Sequence, residues 1–276
     1  MEKLLLSCLA VFVLLLTSCS DNDSSDTNNN NFPLVSTRQK MYEDGEVTKI
    51  YVGEYSNGSL IKHNWFTPQN VQTGYTELNY DNNGILKSII DYSGGTVSFK
   101  STYNYDNQHR MTGILAEFFE YNTTITTVYT YNNDNTITAV ISEPQYTQTR
   151  TFYLNNDGFV FKQVSDNSTF ELTYNGSTPI NATSNGNTTT FEYDESHDFS
   201  LININLGPGD FKPNVVLRAG NLRDVTQTIG NKYMIAENSD GQVYTYNYTF
   251  NEQGLPIKRM DYLNNDLKSE MEFFYN

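Results

Sequence analysis

Thiols, histidines and tryptophan are almost absent: two cysteines, three histidines and one tryptophan occur in 276 residues. Both cysteines, Cys8 and Cys19, lie near the start, so beyond Cys19 the chain can form no disulfide, no zinc-thiolate site and no cysteine nucleophile. His63, His109 and His197 form no His-Glu-x-x-His pattern, no Ser stands in a nucleophile elbow, and Gly207-Pro208-Gly209 lacks the third glycine of a phosphate-cradling loop. Positive charge is scarce too. Seventeen Lys and Arg stand against 32 Asp and Glu, a net charge of −15 that repels a polyanion and excludes nucleic acid as a partner. These absences predict a chain without enzymatic chemistry, without a cofactor and without a metal site.

Long apolar runs are also missing, with one exception. Lys3 precedes the apolar segment Leu4 to Leu16, which is too short for the roughly 20 residues that span a bilayer and reads as a signal segment. It closes on Leu16-Thr17-Ser18-Cys19, which resembles the bacterial lipobox. That predicts cleavage after Ser18, removal of residues 1–18, and lipid attachment at Cys19. The following Ser20 to Ser36 is rich in Ser, Asp and Asn and reads as a flexible tether. Its 17 residues reach roughly 20–25 Å on random-coil scaling. The domain expectation is thus signal peptide at 1–18, lipidated Cys and acidic tether at 19–36, and a single β-repeat domain at 37–276.

What the chain has in abundance is Tyr, Phe, Asn and Thr in a recurring order. An aromatic, a turn of Asp, Asn or Gly, then a branched or apolar residue appear as Tyr80-Asp81-Asn82-Asn83-Gly84-Ile85-Leu86, Tyr105-Asp106-Asn107-Gln108-His109-Arg110-Met111 and Tyr131-Asn132-Asn133-Asp134-Asn135-Thr136-Ile137. Weaker copies begin at Tyr153, Tyr174 and Tyr193, and a clear late one is Phe250-Asn251-Glu252-Gln253-Gly254-Leu255-Pro256-Ile257. Gly, Asn and Asp tolerate the positive φ of tight turns, so each copy predicts a β-hairpin. Two-residue steps such as Tyr244, Tyr246, Tyr248 and Phe250 place aromatics on one face of a strand. The predicted fold is all-β: a long antiparallel meander of tandem hairpins, curled into a half-barrel or a solenoid-like slab. One irregular insertion, His197 to Lys232, breaks the rhythm, with a short helix expected near Val215–Asp224.

These turns resemble the tyrosine-aspartate (YD) hairpin repeats of RHS-type proteins. The block from Asn221 to Met260, a broken segment followed by a Tyr/Thr strand and the Asn251-to-Lys258 hairpin, is similar to an uncharacterised domain family of Bacteroidota lipoproteins. The resemblance implies a β-rich fold and an envelope location and carries no activity. The acidic segment after Cys19 looks like a surface-export signal of such lipoproteins, which implies an outer membrane lipoprotein exposed at the cell surface and held by its lipid anchor.

Three constellations invite a chemical reading. Glu192, Asp194, Glu195, His197 and Asp198 could hold a divalent ion or pair carboxylates, and equally form an acidic hairpin end. Asp81-Asn82-Asn83-Gly84 and Asn155-Asn156-Asp157-Gly158 look like fragments of a calcium loop but lack its closing Glu. Trp65 with 21 Tyr and 16 Phe offers stacking faces for sugars, or simply the core and cross-strand pairs of a Tyr-rich sheet. The expected function is a non-enzymatic binding or structural module engaging a glycan or a protein. The alternative is a periplasmic carrier or chaperone-like lipoprotein that holds an apolar ligand in the curled sheet. Should a ligand bind, the His197–Lys232 insertion is where contact is expected, unless that segment plugs one end of the sheet.

Overall fold

The computed structural model describes residues 34–197, 213–219 and 232–276. The signal segment, Cys19, most of the tether, Asp198 and Gly207-Pro208-Gly209 lie outside them. The first strands are β1 (Leu34–Glu43), β2 (Glu46–Ser56), β3 (Ser59–Phe66), β4 (Gln72–Tyr80), β5 (Leu86–Ser93) and β6 (Thr96–Tyr105). Then follow β7 (Met111–Phe118), β8 (Thr123–Tyr131), β9 (Thr136–Glu143), β10 (Tyr146–Leu154), β11 (Val160–Ser165) and β12 (Ser168–Asn175). The chain continues through β13 (Thr178–Ser184), β14 (Asn187–Tyr193), the helix α1 (Pro213–Ala219), β15 (Met234–Ser239), β16 (Gln242–Phe250), β17 (Pro256–Leu263) and β18 (Asp266–Tyr275). Leu34 to Ser36, read above as tether, belong to the sheet, and Leu34 is buried.

Each strand pairs antiparallel with the next, the all-β meander that the sequence predicts. The ring then closes: β18 pairs with β1, setting Thr37 opposite Phe273 and Gln39 opposite Met271. An 18-stranded barrel therefore replaces the expected half-barrel or slab. Closure gives every strand two hydrogen-bonded neighbours and removes the exposed edges that an open sheet must protect.

Residues opposite each other across antiparallel strands share a face. The inner face carries Leu78, Ile89, Tyr103, Tyr129, Ile137, Phe152, Leu172, Phe191 and Met271, all buried. The outer face carries mainly hydroxyls and charges, with scattered apolar side chains such as the opposed Val128 and Val140. Arg38 stands opposite Glu272, which stands opposite Lys258; Glu54, Lys62 and Glu77 form a row; Lys100 faces Glu117 and Lys162 faces Glu171.

The two ends of the barrel use different turns. At one end, pairs such as Asp44-Gly45 (φ 51° and 81°) and Asp240-Gly241 (φ 50° and 79°) make two-residue hairpins with both residues left-handed. At the other end lie the longer repeats, beside one more two-residue turn at Asn57-Gly58 (φ 50° and 76°). There Asp81 Oδ1 accepts from the backbone N–H of Asn83 and Ile85 (2.9 and 3.0 Å), and Asp106, Asn155 and Asn251 repeat the arrangement. The copy expected from Tyr153 starts one residue later, at Leu154, because Asn155 is the residue that caps its turn. The aromatic before the turn has its own task. Tyr80, Tyr105, Tyr131 and Tyr174, and likewise Tyr275 at the end of β18, donate their hydroxyls to the carbonyls of Leu60, Leu86, Met111, Val160 and Pro256, at 2.7 to 3.0 Å. A bulge beside the tyrosine keeps Leu86 and Met111 turned into the core.

The insertion between β14 and β15 emerges at this tyrosine end and contributes α1. Pro213 opens the helix, where its missing N–H costs nothing. Val216 and Leu217 have no exposed surface and join the main core. Asn214 accepts from the Met111 N–H (2.7 Å) and donates to the His109 carbonyl (2.8 Å), and the Tyr129 hydroxyl donates to the Leu217 carbonyl (2.6 Å). A round ring of this strand number encloses more space than side chains fill. The helix plugs it from the tyrosine end, over residues that begin two positions before the sequence-based expectation.

Candidate functional site

Packing inside the barrel is uneven, and that unevenness defines the site. Inner residues of the tyrosine end are sealed by α1 and the tyrosine ring. Toward the tight-turn end the large inner side chains Tyr51, His63, Trp65, Phe99, Phe118, Ile125 and Ile141 are only half-buried, while smaller polar ones beside them, Gln39, Thr76, Asp91 and Ser269, are buried. The tight-turn end is therefore the mouth of a cup, and α1 is part of its floor.

The wall of the mouth is built by cross-strand neighbours. Gln39, Tyr51, Trp65 and Gly74 stand in one row across β1 to β4. Trp65 lies flat over Gly74, where an added Cβ would come within 2.7 Å of the indole and 2.4 Å of the Tyr92 carbonyl. The next row holds Gly53, His63, Thr76, Asp91 and Phe99. The His63 ring stacks on Tyr51 with centroids 5.2 Å apart, and burial holds its pKa down to about 4. Burial pushes the Asp91 carboxyl up to about 6, against the hydrogen bond from Thr76 Oγ1 at 2.8 Å that favours its charged form. Phe99 tilts against Phe118 at 4.9 Å.

Beside these rows, along β1, β18 and β17, a buried polar chain braces the wall. Gln39 donates to Ser269 Oγ (3.2 Å), Ser269 donates to Asp261, and Asp261 pairs with Arg259 Nε (2.7 Å). The Tyr246 hydroxyl reaches Glu237 at 3.5 Å. Arg259 and Asp261 are two residues apart on β17, and it is the Ser269 hydroxyl that ties this pair to β18.

The residues singled out from sequence fall in different places. Tyr244, Tyr246, Tyr248 and Phe250 do share one face, which is the inner one. Trp65 faces the mouth and Phe66 the outside. The acidic cluster is drawn into local pairs at the tyrosine end. Asp194 accepts from the Ser196 N–H (2.7 Å) and pairs with His197 Nδ1 (2.6 Å), Glu195 pairs with Lys232, and His197 stacks on Phe250 at 3.7 Å. Among the described residues no three His, Cys, Asp or Glu side chains converge as a metal site. The supposed calcium loops spend their oxygens on turn amides. Sequence reasoning missed the mouth itself. Only the repeated inward aromatic could have signalled it, and nothing local says which end is filled.

No family model and no curated protein matches the chain. Among solved structures, it is similar to a porin-like protein from Bacteroides uniformis at 10% identity, over 89% of this chain and 96% of that one, with a TM-score of 0.29. At that level the likeness carries no argument about what the present chain does.

Proposed function

We propose that the chain is a non-enzymatic binding module of the cell envelope: an outer membrane lipoprotein, held by lipid on Cys19 and exposed at the surface, whose barrel stands beside the bilayer instead of crossing it. The observation that carries this reading is the outer face. A barrel in lipid needs an outward apolar band, and each Lys or Arg facing lipid at mid-depth costs about 2–4 kcal/mol. Here Arg38, Lys40, Lys62, Lys100, Lys162 and Lys258 all face outward from strands, several paired with carboxylates, as Lys40 and Lys258 both are with Glu270 at 2.9 and 2.8 Å. Only those held at mid-depth would carry the full cost, and three of them, at about 6–12 kcal/mol, already rival the roughly 5–15 kcal/mol stability of a typical domain. A barrel that cannot insert needs a tether to stay at the membrane, and the lipobox supplies one. The tyrosine-hydroxyl turns support kinship with the hairpin-repeat lipoproteins.

Cells expressing the chain and its Cys19→Ala variant, washed with alkaline carbonate, test this reading. The wild type should incorporate labelled palmitate and stay with membranes, and the variant should take no label and be released. A variant that resists the wash would mean that the barrel itself is embedded. The carrier alternative rests on the same half-buried mouth, whose wall is mainly aromatic.

A further inference from the structure

The mouth continues onto its rim as an apolar arc. Val71 in the β3–β4 connection, Phe119 and Tyr121 in the β7–β8 hairpin, and Tyr146 at the β9–β10 hairpin are 61, 49, 52 and 51% exposed, and Val97, opposite the outward-facing Tyr92, is 37% exposed on the outer side of the β5–β6 hairpin. These four connections are consecutive at the same end of the ring, two strands apart, hence about 10 Å from one to the next and about 30 Å in all. Isolated exposed apolar residues need no explanation, whereas a continuous arc leading into an aromatic cup does.

The rest of the rim is acidic. Glu43, Asp44 and Glu46 stand at the β1–β2 hairpin, Asp166, Asp240 and Asp266 at three others, and Glu120 and Glu143 sit within the apolar arc itself, all of them exposed. The cations nearest this rim are Lys49, Lys268 and Arg38, whose guanidinium donates to Asn70 Oδ1 in the β3–β4 connection (2.8 Å). An anionic partner is repelled there, and a cationic one is drawn in from a distance. The closed ring offers no strand edge, so a partner cannot bind by strand addition.

We propose that the mouth takes a cationic amphipathic peptide segment, its apolar face laid along the Val71–Tyr146 arc and its Lys or Arg residues against the acidic rim. The dimensions agree. Residues i and i+7 of a helix are about 10.5 Å apart, close to the two-strand step, and about 20 helical residues span about 30 Å. The proposal rests on the binding-module reading and names the ligand class of that site.

Trp65, the sole tryptophan, lies in the mouth and reports on it. The test uses the mature-length chain carrying Cys19→Ser, titrated with a tryptophan-free 20-residue Leu/Lys amphipathic peptide, with its Leu/Glu counterpart, with a neutral oligosaccharide, and with phosphatidylcholine vesicles. The cationic peptide alone should shift Trp65 emission saturably, and its affinity should fall at least tenfold between 50 and 500 mM salt. Combined Phe119→Ser, Tyr121→Ser and Tyr146→Ser should weaken it at least tenfold with an unchanged melting temperature, as should Glu120→Lys with Glu143→Lys. Equal response to the anionic peptide, a response to sugar or vesicles instead, or no response to any probe would overturn the proposal. None of those outcomes touches the carbonate-wash result, so the two readings fail separately.

Discussion

A tyrosine before a turn does more here than fill space. The Tyr105 hydroxyl donates to the Leu86 carbonyl at 2.8 Å, at the bulge where β5 enters its ladder. Tyr105→Phe should therefore cost about 1 kcal/mol, the net worth of one such bond, read as a lowered urea midpoint with unchanged slope. Glycines divide into two kinds. Gly84 holds φ +76° in open space, so Gly84→Val should cost about 1–2 kcal/mol through backbone strain alone. Gly74 has an ordinary φ, and its Cβ would collide with the Tyr92 carbonyl and Trp65, so Gly74→Ala should cost more and also move Trp65 emission. Equal costs at the two sites would refute this division. The turn role of Gly84 was legible in Asn82-Asn83-Gly84, because turn chemistry is local. That of Gly74 was not, because it depends on an indole from another strand.

Still at single residues, Asp91 and His63 pull stability in opposite directions with pH. The folded chain binds the Asp91 proton at about 6, above its unfolded value near 4, so this group's penalty is fully present above pH 6 and is relieved as pH falls toward 4. His63 titrates at about 4 when folded, below its unfolded value near 6.5, so stability is lost as pH falls from 6.5 to 4. Each effect is worth about 3 kcal/mol at its limit, at about 1.4 kcal/mol per pKa unit. Asp91→Asn should thus raise the urea midpoint at pH 7 and steepen the loss on acidification to pH 4, and His63→Gln should shrink that loss. Parallel curves for the wild type and both variants would show that neither group is buried as described.

Among the elements, the strands were legible and the helix was half-legible. Two-residue alternation and Asn/Asp/Gly turns give each hairpin from nearby residues alone, as with Tyr244 to Phe250 on β16. The 197–232 insertion was recognisable by its Gly and Pro, but its role depends on where Val216 and Leu217 end up. They sit in the main core, with Leu217 tied to β8 by the Tyr129 hydroxyl. Leu217→Ala should then cost about 2–5 kcal/mol, as for large-to-small changes in a packed core. A loss below 1 kcal/mol in a urea titration would mean that the helix merely rests against the barrel. The same placement removes the helix from the mouth, so the expectation that this insertion touches a ligand gives way, for its described part, to the plug.

At the scale of the whole molecule, closure was not legible at all: no local pattern in β1 or β18 announces that they pair, and the half-barrel expected from sheet twist is one contact short of the ring. Closure with an even number of strands brings both chain ends to the tyrosine end, where β1 begins at Leu34 and β18 stops at Tyr275. A lipid on Cys19, as proposed, would then hold the plugged end, where β1 begins, toward the membrane. The mouth would face away, about 20–25 Å farther out for tilted strands of this length. Because no cysteine follows Cys19, Asn133→Cys at the plugged end and Asn167→Cys at the mouth can each carry a single fluorescent donor on the lipidated chain. With acceptors in the lipid headgroups, energy transfer should be several-fold more efficient from position 133 than from position 167. Equal transfer would mean that the tether lets the barrel tumble freely, and stronger transfer from position 167 would mean that the mouth lies against the membrane, where a lipid rather than a peptide would be its natural occupant.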